Sequence, residues 1–226
     1  MLKVFFNQMM YSKFKVWKDR GFSPKNIYDI GAHHGNWTRE TRNIFPDASF
    51  HLFEGCSDNN SRNTEASYHN VLLGKEESVV DFHCVGADYI YGNTGNSIYV
   101  ELTDNYVGSN YTTRRHPITM LDKYVSSNGI PHPDFIKIDV QGAELDVLEG
   151  GQECLKHATM VLLEVSLHRY NAGAPLFAEV VRYMDDHGFE AIDILEMHNI
   201  YGYSSLQVDI LFAKKGSGFR VESFRT

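Results

Sequence analysis

A glycine-containing turn between an apolar run and a helical segment constrains the fold of this chain more than any other stretch. Residues 27 to 38 read IYDIGAHHGNWT, in which the apolar run stops at Gly31 and Gly35 follows four residues later. Glycine tolerates positive φ and leaves room for a ligand, and the following helix offers free N–H groups at its start, which Asn36 is expected to cap. The pattern predicts a strand, a tight turn and a helix that form a nucleotide-type pocket.

The residues inside the turn indicate which nucleotide-like ligand it takes. A dinucleotide-binding turn would carry a second glycine two residues after the first, where this chain has Ala32-His33, and the carboxylate of Asp29 would repel a phosphate group. That carboxylate would instead attract a cation or accept a hydrogen bond. S-adenosylmethionine fits because it has an ammonium group, a sulfonium group and no phosphate. The residues expected to contact it are Asp29, Gly31, Ala32, Gly35 and Asn36.

Two later strand ends are expected beside the same pocket. SFHLFEG (49–55) predicts a second strand that ends at Glu54, 19 residues after Gly35. The two oxygens of this carboxylate can accept hydrogen bonds from both hydroxyls of a ribose. YHNVLLG (68–74) predicts a third strand that ends at Gly74, which is expected to flank the adenine.

The rest of the chain alternates strand-like and helix-like segments. Residues 76–119 contain the short β-like runs SVVDFHCV, NSIYVEL and TTRRHPIT, and the loop 91–99 within them is either a surface turn or a cover over a ligand. FIKIDV and MVLLEV are apolar runs typical of buried parallel strands, each followed by a helical pattern. FEAIDILEM and LQVDILFAKK are close enough to pair antiparallel. The order predicts an α/β fold with a doubly wound, mostly parallel sheet.

Three side chains at the ends of the central strands are candidates to take a proton from an acceptor hydroxyl. They are Asp139, Glu164 and His168. Asp139 could equally orient the turn at Gln141 or hold the amino group of the donor, and we count Gln141 among the expected donor contacts. Asp139 and Glu164 could also supply two hard oxygen ligands to a divalent metal, but no third acid is obvious, so metal-independent turnover is favoured.

Length and composition narrow the class of protein. The 226 residues suit one domain, with residues 1–22 as a helical extension that does not resemble a signal peptide. The net charge is −8, and basic pairs occur only at 114–115 and 214–215, which argues against a nucleic-acid partner. No apolar run is long enough for membrane insertion. Three widely spaced cysteines suggest a reducing cytoplasm.

The motifs resemble those of the FkbM family of S-adenosylmethionine-dependent methyltransferases. The similarity rests on DIGAHHGNWT, FEG, GNTGNSIY, FIKIDVQGAELDVLEGG and LLEVS, and covers roughly residues 20 to 215. It implies a Rossmann-like class I fold with the strand order 3-2-1-4-5-7-6, the last strand antiparallel. It also implies O-methylation of a sugar, glycan or other secondary metabolite. The chain departs from the family pattern at His33-His34 and at Gly55.

Two other functions are also compatible with the sequence. A dehydrogenase would use the same pocket for NAD, although the missing G-x-G-x-x-G sequence counts against it. A non-catalytic scaffold could keep the fold without turnover. Tight binding of NAD without binding of S-adenosylmethionine would favour the dehydrogenase, and titration with S-adenosylhomocysteine tests whether the donor pocket is intact.

Overall fold

Strands and helices alternate along the chain in the computed structural model, which describes residues 2–56, 65–85, 94–103, 111–200 and 204–219. The helices are α1 (Leu2–Asp19), α2 (Asn36–Arg42), α3 (Leu121–Ser127), α4 (Glu144–Glu149), α5 (Gln152–His157) and α6 (Phe177–Asp186). The strands are β1 (Asn26–Ile30), β2 (Ser49–Glu54), β3 (Ser67–Asn70), β4 (Leu72–Gly74), β5 (Ser78–Val85), β6 (Tyr111–Met120), β7 (Phe135–Ile138), β8 (Met160–Ser166), β9 (Phe189–Ile200) and β10 (Ser204–Lys214).

Seven of these strands form the main sheet, in the order β3-β2-β1-β7-β8-β10-β9. Numbered within this sheet alone, the order is 3-2-1-4-5-7-6. The pairs from β3 to β8 are parallel, whereas β10 runs antiparallel to both β8 and β9. The predicted fold class and its antiparallel last strand are therefore confirmed.

A second sheet of three strands, in the order β4-β6-β5, is built from the segment expected to carry extra strands. The prediction of one third strand over 68–74 is wrong, because the pairing changes at Val71, whose N–H donates to the carbonyl of Glu54. β3 stays beside β2, and β4 joins the second sheet. NSIYVEL is not a strand, and isolated bridges at Ser97 and Glu101 connect it to the rest of the protein. Residues 91–93 of the predicted loop lie outside the described part of the chain.

Helix α1 lies over a face of the main sheet and not, as expected from the sequence, across its edge. Phe14 packs against Phe135 of the central strand β7 with ring centroids 5.6 Å apart, and Trp17 is buried in the same cluster. Aromatic burial of this size stabilises a helix over the middle of a sheet. Within the described residues, no helix combines the length and apolar character needed to span a bilayer. We call the sheet surface beneath α1 the α1 face.

Candidate active site

Polar side chains replace apolar ones on the α1 face toward one end of the main sheet. The strand register places Asp29 of β1 beside Lys137 of β7, and it places Asp209 of β10 between Glu164 of β8 and Glu196 of β9. Like charges directly opposite one another destabilise a sheet. The stability of the fold therefore does not explain why Glu164, Asp209 and Glu196 lie side by side on three adjacent strands. They mark this end of the sheet as a candidate site.

A cavity of about 320 Å³ separates these strands from α1 and α2. The helices contribute Met10, Tyr11, Asn36 and Trp37 to its wall. The strands and their ends contribute mostly ionisable side chains, namely Lys137, Asp139, Glu164, Glu196, His198 and Asp209. The cavity thus combines aromatic surface with a ring of carboxylates.

Asp29 is completely buried at the end of β1. Its Oδ2 accepts a hydrogen bond of 2.7 Å from the hydroxyl of Thr38 in α2. Its Oδ1 lies 3.4 Å from the ammonium of Lys137 but has no hydrogen-bond partner among the described residues. A buried carboxylate needs such a counter-charge, so Asp29 and Lys137 stabilise one another.

Lys137 joins Asp29 to Asp139, whose Oδ2 lies 3.3 Å from the ammonium. Burial by itself would lower the pKa of Lys137, but the charges of Asp139 and Asp29 outweigh it and the pKa is raised. Burial would likewise raise the pKa of Asp139, but the charge of Lys137 and hydrogen bonding to Gln141 lower it. The charged forms of Lys137 and Asp139 are therefore both favoured, and Asp139 is a weak base.

The glycine turn holds strand ends together. The N–H groups of Gly31 and Ala32 both donate to the carbonyl of Phe53, at 2.9 and 3.2 Å. A Cβ on Gly31 would lie 1.8 Å from the carbonyl oxygen of Asp139, so no side chain fits between the two strand ends. Contact of Gly31 and Ala32 with a donor remains a prediction, because their N–H groups already have partners in the protein.

Gly35, and not Asn36, is the N-cap of α2. Gly35 has a left-handed φ of 70° and its carbonyl accepts from the N–H of Arg39, while Asn36 is the first helical residue. The prediction of Asn36 as cap is wrong because the left-handed conformation that starts the helix favours glycine. The Asn36 side chain accepts a 2.6 Å hydrogen bond from Arg39, and Asn36 lines the cavity.

Glu54 lies at the end of β2, as predicted, and is 7% exposed. Its two oxygens accept hydrogen bonds of 2.8 Å from the backbone N–H groups of His33 and Cys56. Each carboxylate oxygen has a second lone pair, and the contact with a ribose stays a prediction. Gly74, which was expected at the end of the third strand beside the adenine, belongs instead to β4 of the second sheet. Its carbonyl oxygen packs against Gly150.

Gln141 connects the two candidate acids with its side chain. Its Nε2 donates to Asp139 Oδ1 at 2.8 Å and to Glu164 Oε2 at 2.9 Å, and its Oε1 accepts from the hydroxyl of Tyr170 at 3.1 Å. Its φ of 56° is unusual for a residue other than glycine, and such conformations concentrate at functional sites. The Gln141 side chain, which was expected to bind the donor, is thus hydrogen-bonded within the protein.

The described part of the predicted loop contacts the same turn. Ser97 of this loop donates a hydrogen bond to the carbonyl of Gln141 at 2.9 Å.

Glu164 faces the cavity as predicted. Burial raises the pKa of Glu164 well above its usual value, and the neighbouring charges of Asp139 and Asp209 raise it further. Its Oε2 also accepts from the side-chain amide of Gln207, the neighbour of Asp209 on the same strand face. The surroundings of this carboxyl group therefore favour its neutral form.

The structure does not bring His168 into the cavity wall. His168 is exposed in the loop after β8, where its carbonyl accepts from the N–H of Tyr170. The histidine that lies with Glu164 is His198, near the end of β9. His168 as the base therefore remains a prediction without a contact in the described residues to support it.

Glu164, His198 and Asp209 are the described side chains that could hold a metal ion, since their ligand atoms lie within 4.8 Å of one another. The two amide donors on Glu164 Oε2 already use one of the oxygens that such an ion would need. We therefore assign no metal ligands among these three side chains.

Sequence reasoning missed Glu196, His198, Gln207 and Asp209, although both strands were predicted and only His198 lies beyond their predicted bounds. The available signal was a charged residue inside an otherwise apolar strand, as in QVDILF around Asp209. A single buried acid is costly unless it has a partner or a function.

The sequence of this chain is similar to those of known methyltransferases. The model of the family described as "Methyltransferase FkbM domain" matches residues 29–191. The 2-O-methyltransferase NoeI of Sinorhizobium fredii is 28% identical over 152 residues, which are 62% of this chain and 63% of NoeI. The chain therefore spans less than two thirds of the length of this curated relative.

Two solved structures show the same fold at low sequence identity. Methyltransferase FkbM from Methylobacillus flagellatus is 15% identical with a TM-score of 0.53, over 84% of this chain and 43% of that protein. The plantazolicin methyltransferase BpumL, solved in complex with S-adenosylhomocysteine, is 10% identical with a TM-score of 0.53, over 93% of this chain and 84% of that protein.

Proposed function

The chain belongs to the FkbM methyltransferase domain family, and we propose that it transfers a methyl group from S-adenosylmethionine to a hydroxyl group of a sugar, glycan or related secondary metabolite. The observation that carries the proposal is the cavity, which is lined by Asp139 and Asn36 toward β1 and by Glu164, Glu196 and Asp209 toward β9. The first pair suits a donor and the second group suits an acceptor.

The residues around Asp29 and Asp139 fit the donor. Asp139 keeps about a third of its side chain exposed while Lys137 and Gln141 hold it in place, so it can accept a hydrogen bond from an ammonium group. Glu54 lies at the neighbouring strand end with lone pairs for a ribose. S-adenosylmethionine, when bound, would supply the electrophilic methyl group.

The acceptor side of the cavity fits a polyhydroxylated molecule. Carboxylates accept hydrogen bonds from hydroxyl groups, and Glu196 and Asp209 are each about 8% exposed with their acidic groups toward the cavity. Tyr11 and Trp37 add aromatic surface, which packs well against the apolar face of a sugar ring. The printed activity of NoeI, a 2-O-methyltransferase, supports a hydroxyl as the methyl acceptor.

These residues would act mainly by position. Displacement of a methyl group needs the acceptor oxygen in line with the bond that breaks, and fixed partners on both sides of the cavity supply that alignment. Helix α1 covers the α1 face, and its Met10 and Tyr11 form part of the cavity wall.

Calorimetric titration with S-adenosylhomocysteine is the first test. We expect binding, and we expect saturation to raise the free energy of unfolding by about 2.7 kcal/mol at a ligand concentration 100 times Kd. Incubation with S-adenosylmethionine and a panel of methyl glycosides, followed by mass spectrometry, should then give a product heavier by one methylene group. Binding of NAD without binding of S-adenosylhomocysteine would favour the dehydrogenase, and binding without any methylated product would favour a scaffold.

A further inference from the structure

His198 occupies the centre of the acceptor side of the cavity. Its Nε2 lies 3.3 Å from Asp209 Oδ2 and 3.8 Å from Glu164 Oε1. Its Nδ1 lies 3.9 Å from Glu196 Oε1, which is longer than a hydrogen bond. The imidazole is therefore enclosed by carboxyl groups from three adjacent strands.

The contact to Asp209 is close but not aligned. Nε2 is buried and makes no hydrogen bond within the described residues, although Asp209 Oδ2 is near enough for an ion pair. Hydrogen bonds in active sites are commonly misaligned before substrate binds and become aligned in the complex. After a small rotation of the ring, Nε2–H would donate a hydrogen bond to Asp209. Nδ1 would then be unprotonated, and its lone pair could accept a proton from the acceptor.

We propose that His198 takes the proton from the acceptor hydroxyl, with Asp209 as the positioning residue that fixes its tautomer. This inference rests on the proposed function, because it concerns the same cavity. In the step, the O–H bond of the acceptor breaks and an N–H bond forms at Nδ1. The oxygen electron pair forms the new O–CH₃ bond while the S–CH₃ bond of the donor substrate breaks, leaving a neutral thioether. The imidazolium then loses its proton to water.

The surroundings of the ring favour the charged product of that step. Burial by itself would lower the pKa of His198, but the carboxylates of Asp209, Glu196 and Asp139 outweigh it, and the pKa is raised. The other ionisable groups that face the cavity are Glu164, Lys137 and Tyr11. A base with a raised pKa takes a proton more strongly, and it is active above that pKa.

The other candidate bases are less suited. The pKa of Asp139 is lowered and Lys137 neutralises its charge. Glu164 has a raised pKa, but its Oε2 is occupied by amide donors from Gln141 and Gln207. The exposed side chain of His168 lies outside the cavity wall.

The first experiment measures the pKa of His198 by NMR on the full chain with ¹³C-labelled histidine. The His198→Gln variant assigns its signal among the 11 histidines. We expect a pKa above the ordinary value of about 6.5, and a downward shift in Asp209→Asn, which keeps the shape of the side chain and removes its charge. A pKa at or below the ordinary value, or one that Asp209→Asn leaves unchanged, would overturn the proposal whether or not an acceptor is known.

The second experiment measures turnover with S-adenosylmethionine and methyl glycosides of a neutral hexose, a 6-deoxyhexose, a hexosamine and a uronic acid. His198→Gln should lower kcat at least about a hundredfold, the usual effect of a general base, with the Kd for S-adenosylhomocysteine unchanged. His187→Gln, at an exposed histidine after α6, is the control. In the wild type the rate should rise with pH through the measured pKa of His198, and Asp209→Asn should shift that rise to lower pH.

Several results would count against His198. Near-normal turnover in His198→Gln, or a large loss in His168→Gln alone, would move the base to another residue. A rise in Tm with manganese chloride alone, absent in His198→Gln, would mean that the three side chains bind a metal. Failure to bind S-adenosylhomocysteine would instead refute the proposed function, and the pKa measurement separates the two failures.

Discussion

The carbonyl oxygen of Asp139 lies 1.8 Å from the position that a Cβ would take on Gly31. Two strand ends that are more than 100 residues apart in the sequence thus meet at backbone distance. Glycine is required at position 31 because the two backbones approach so closely. The turn therefore fixes the position of Asp139 relative to Asp29.

Gly31→Ala should therefore destabilise the protein strongly. The methyl group would overlap the Asp139 carbonyl, at a cost of about 1 to 3 kcal/mol for overpacking, and the left-handed φ of 76° adds about 1 to 2 kcal/mol. Gly129→Ala is the matched control, since its φ is 63° and nothing lies within 4 Å of the new Cβ. Urea denaturation should show only the conformational cost in the control. Equal losses in both variants would mean that the strand ends can separate freely.

Two buried threonines of α2 allow a second matched test. Thr38→Val removes the hydroxyl that donates to Asp29 and leaves a buried carboxylate with one fewer hydrogen bond, which should cost about 1 to 3 kcal/mol of unfolding free energy. Thr41 is equally buried, and its hydroxyl has no hydrogen-bond partner among the described residues. Thr41→Val should be neutral or stabilising. If the two variants unfold at the same urea concentration, the bond to Asp29 contributes little.

Glu54→Gln should weaken binding of S-adenosylhomocysteine. The loss of a charged acceptor for ribose hydroxyls costs on the order of 1.5 to 3 kcal/mol, or roughly tenfold to a hundredfold in Kd. The stability should fall as well, because Glu54 also accepts from His33 and Cys56. Glu40→Gln, on the exposed side of α2, is the control. A calorimetric Kd equal to that of the wild type would remove Glu54 from the ribose.

Glu144 should make the stability depend on pH. Burial raises its pKa to about 7, despite the hydrogen bonds that it accepts from the N–H groups of Gly142 and Val140. Because the folded pKa lies above the unfolded one, near 4.3, this contribution is fully present below about pH 4.3 and is lost as the pH rises toward 7. The difference between the two pKa values corresponds to about 4 kcal/mol.

Glu144→Gln should flatten this part of the stability curve. The amide oxygen can still accept from Val140 and Gly142, so the turn is kept while the titration is removed. Glu149→Gln, an exposed position in the same helix, should leave the curve unchanged. Parallel curves for Glu144→Gln and the wild type would show that Glu144 does not titrate in this range.

The sequence predicted the central strands well because their burial on both faces leaves a continuous apolar run. FIKIDV became β7 followed by Asp139, and Asp29 and Glu54 were found at strand ends. The change of partner at Val71 was not predictable, because it depends on which of two sheets a short segment joins. The position of His198 depends on pairing between β9 and β10, whose register shifts three times, including between Asp209 and Ile210. Such irregularities leave no periodic signal.

The hairpin of β9 and β10 lies almost wholly beyond the part of the chain that the family model matches. The family match ends at residue 191, so Glu196, His198, Gln207 and Asp209 all follow it. The parts suited to the donor lie inside the matched segment, and those suited to the acceptor come mostly from the hairpin. The family match therefore supports the donor half of the cavity, whereas the proposed acceptor half rests mostly on side chains that the match does not reach.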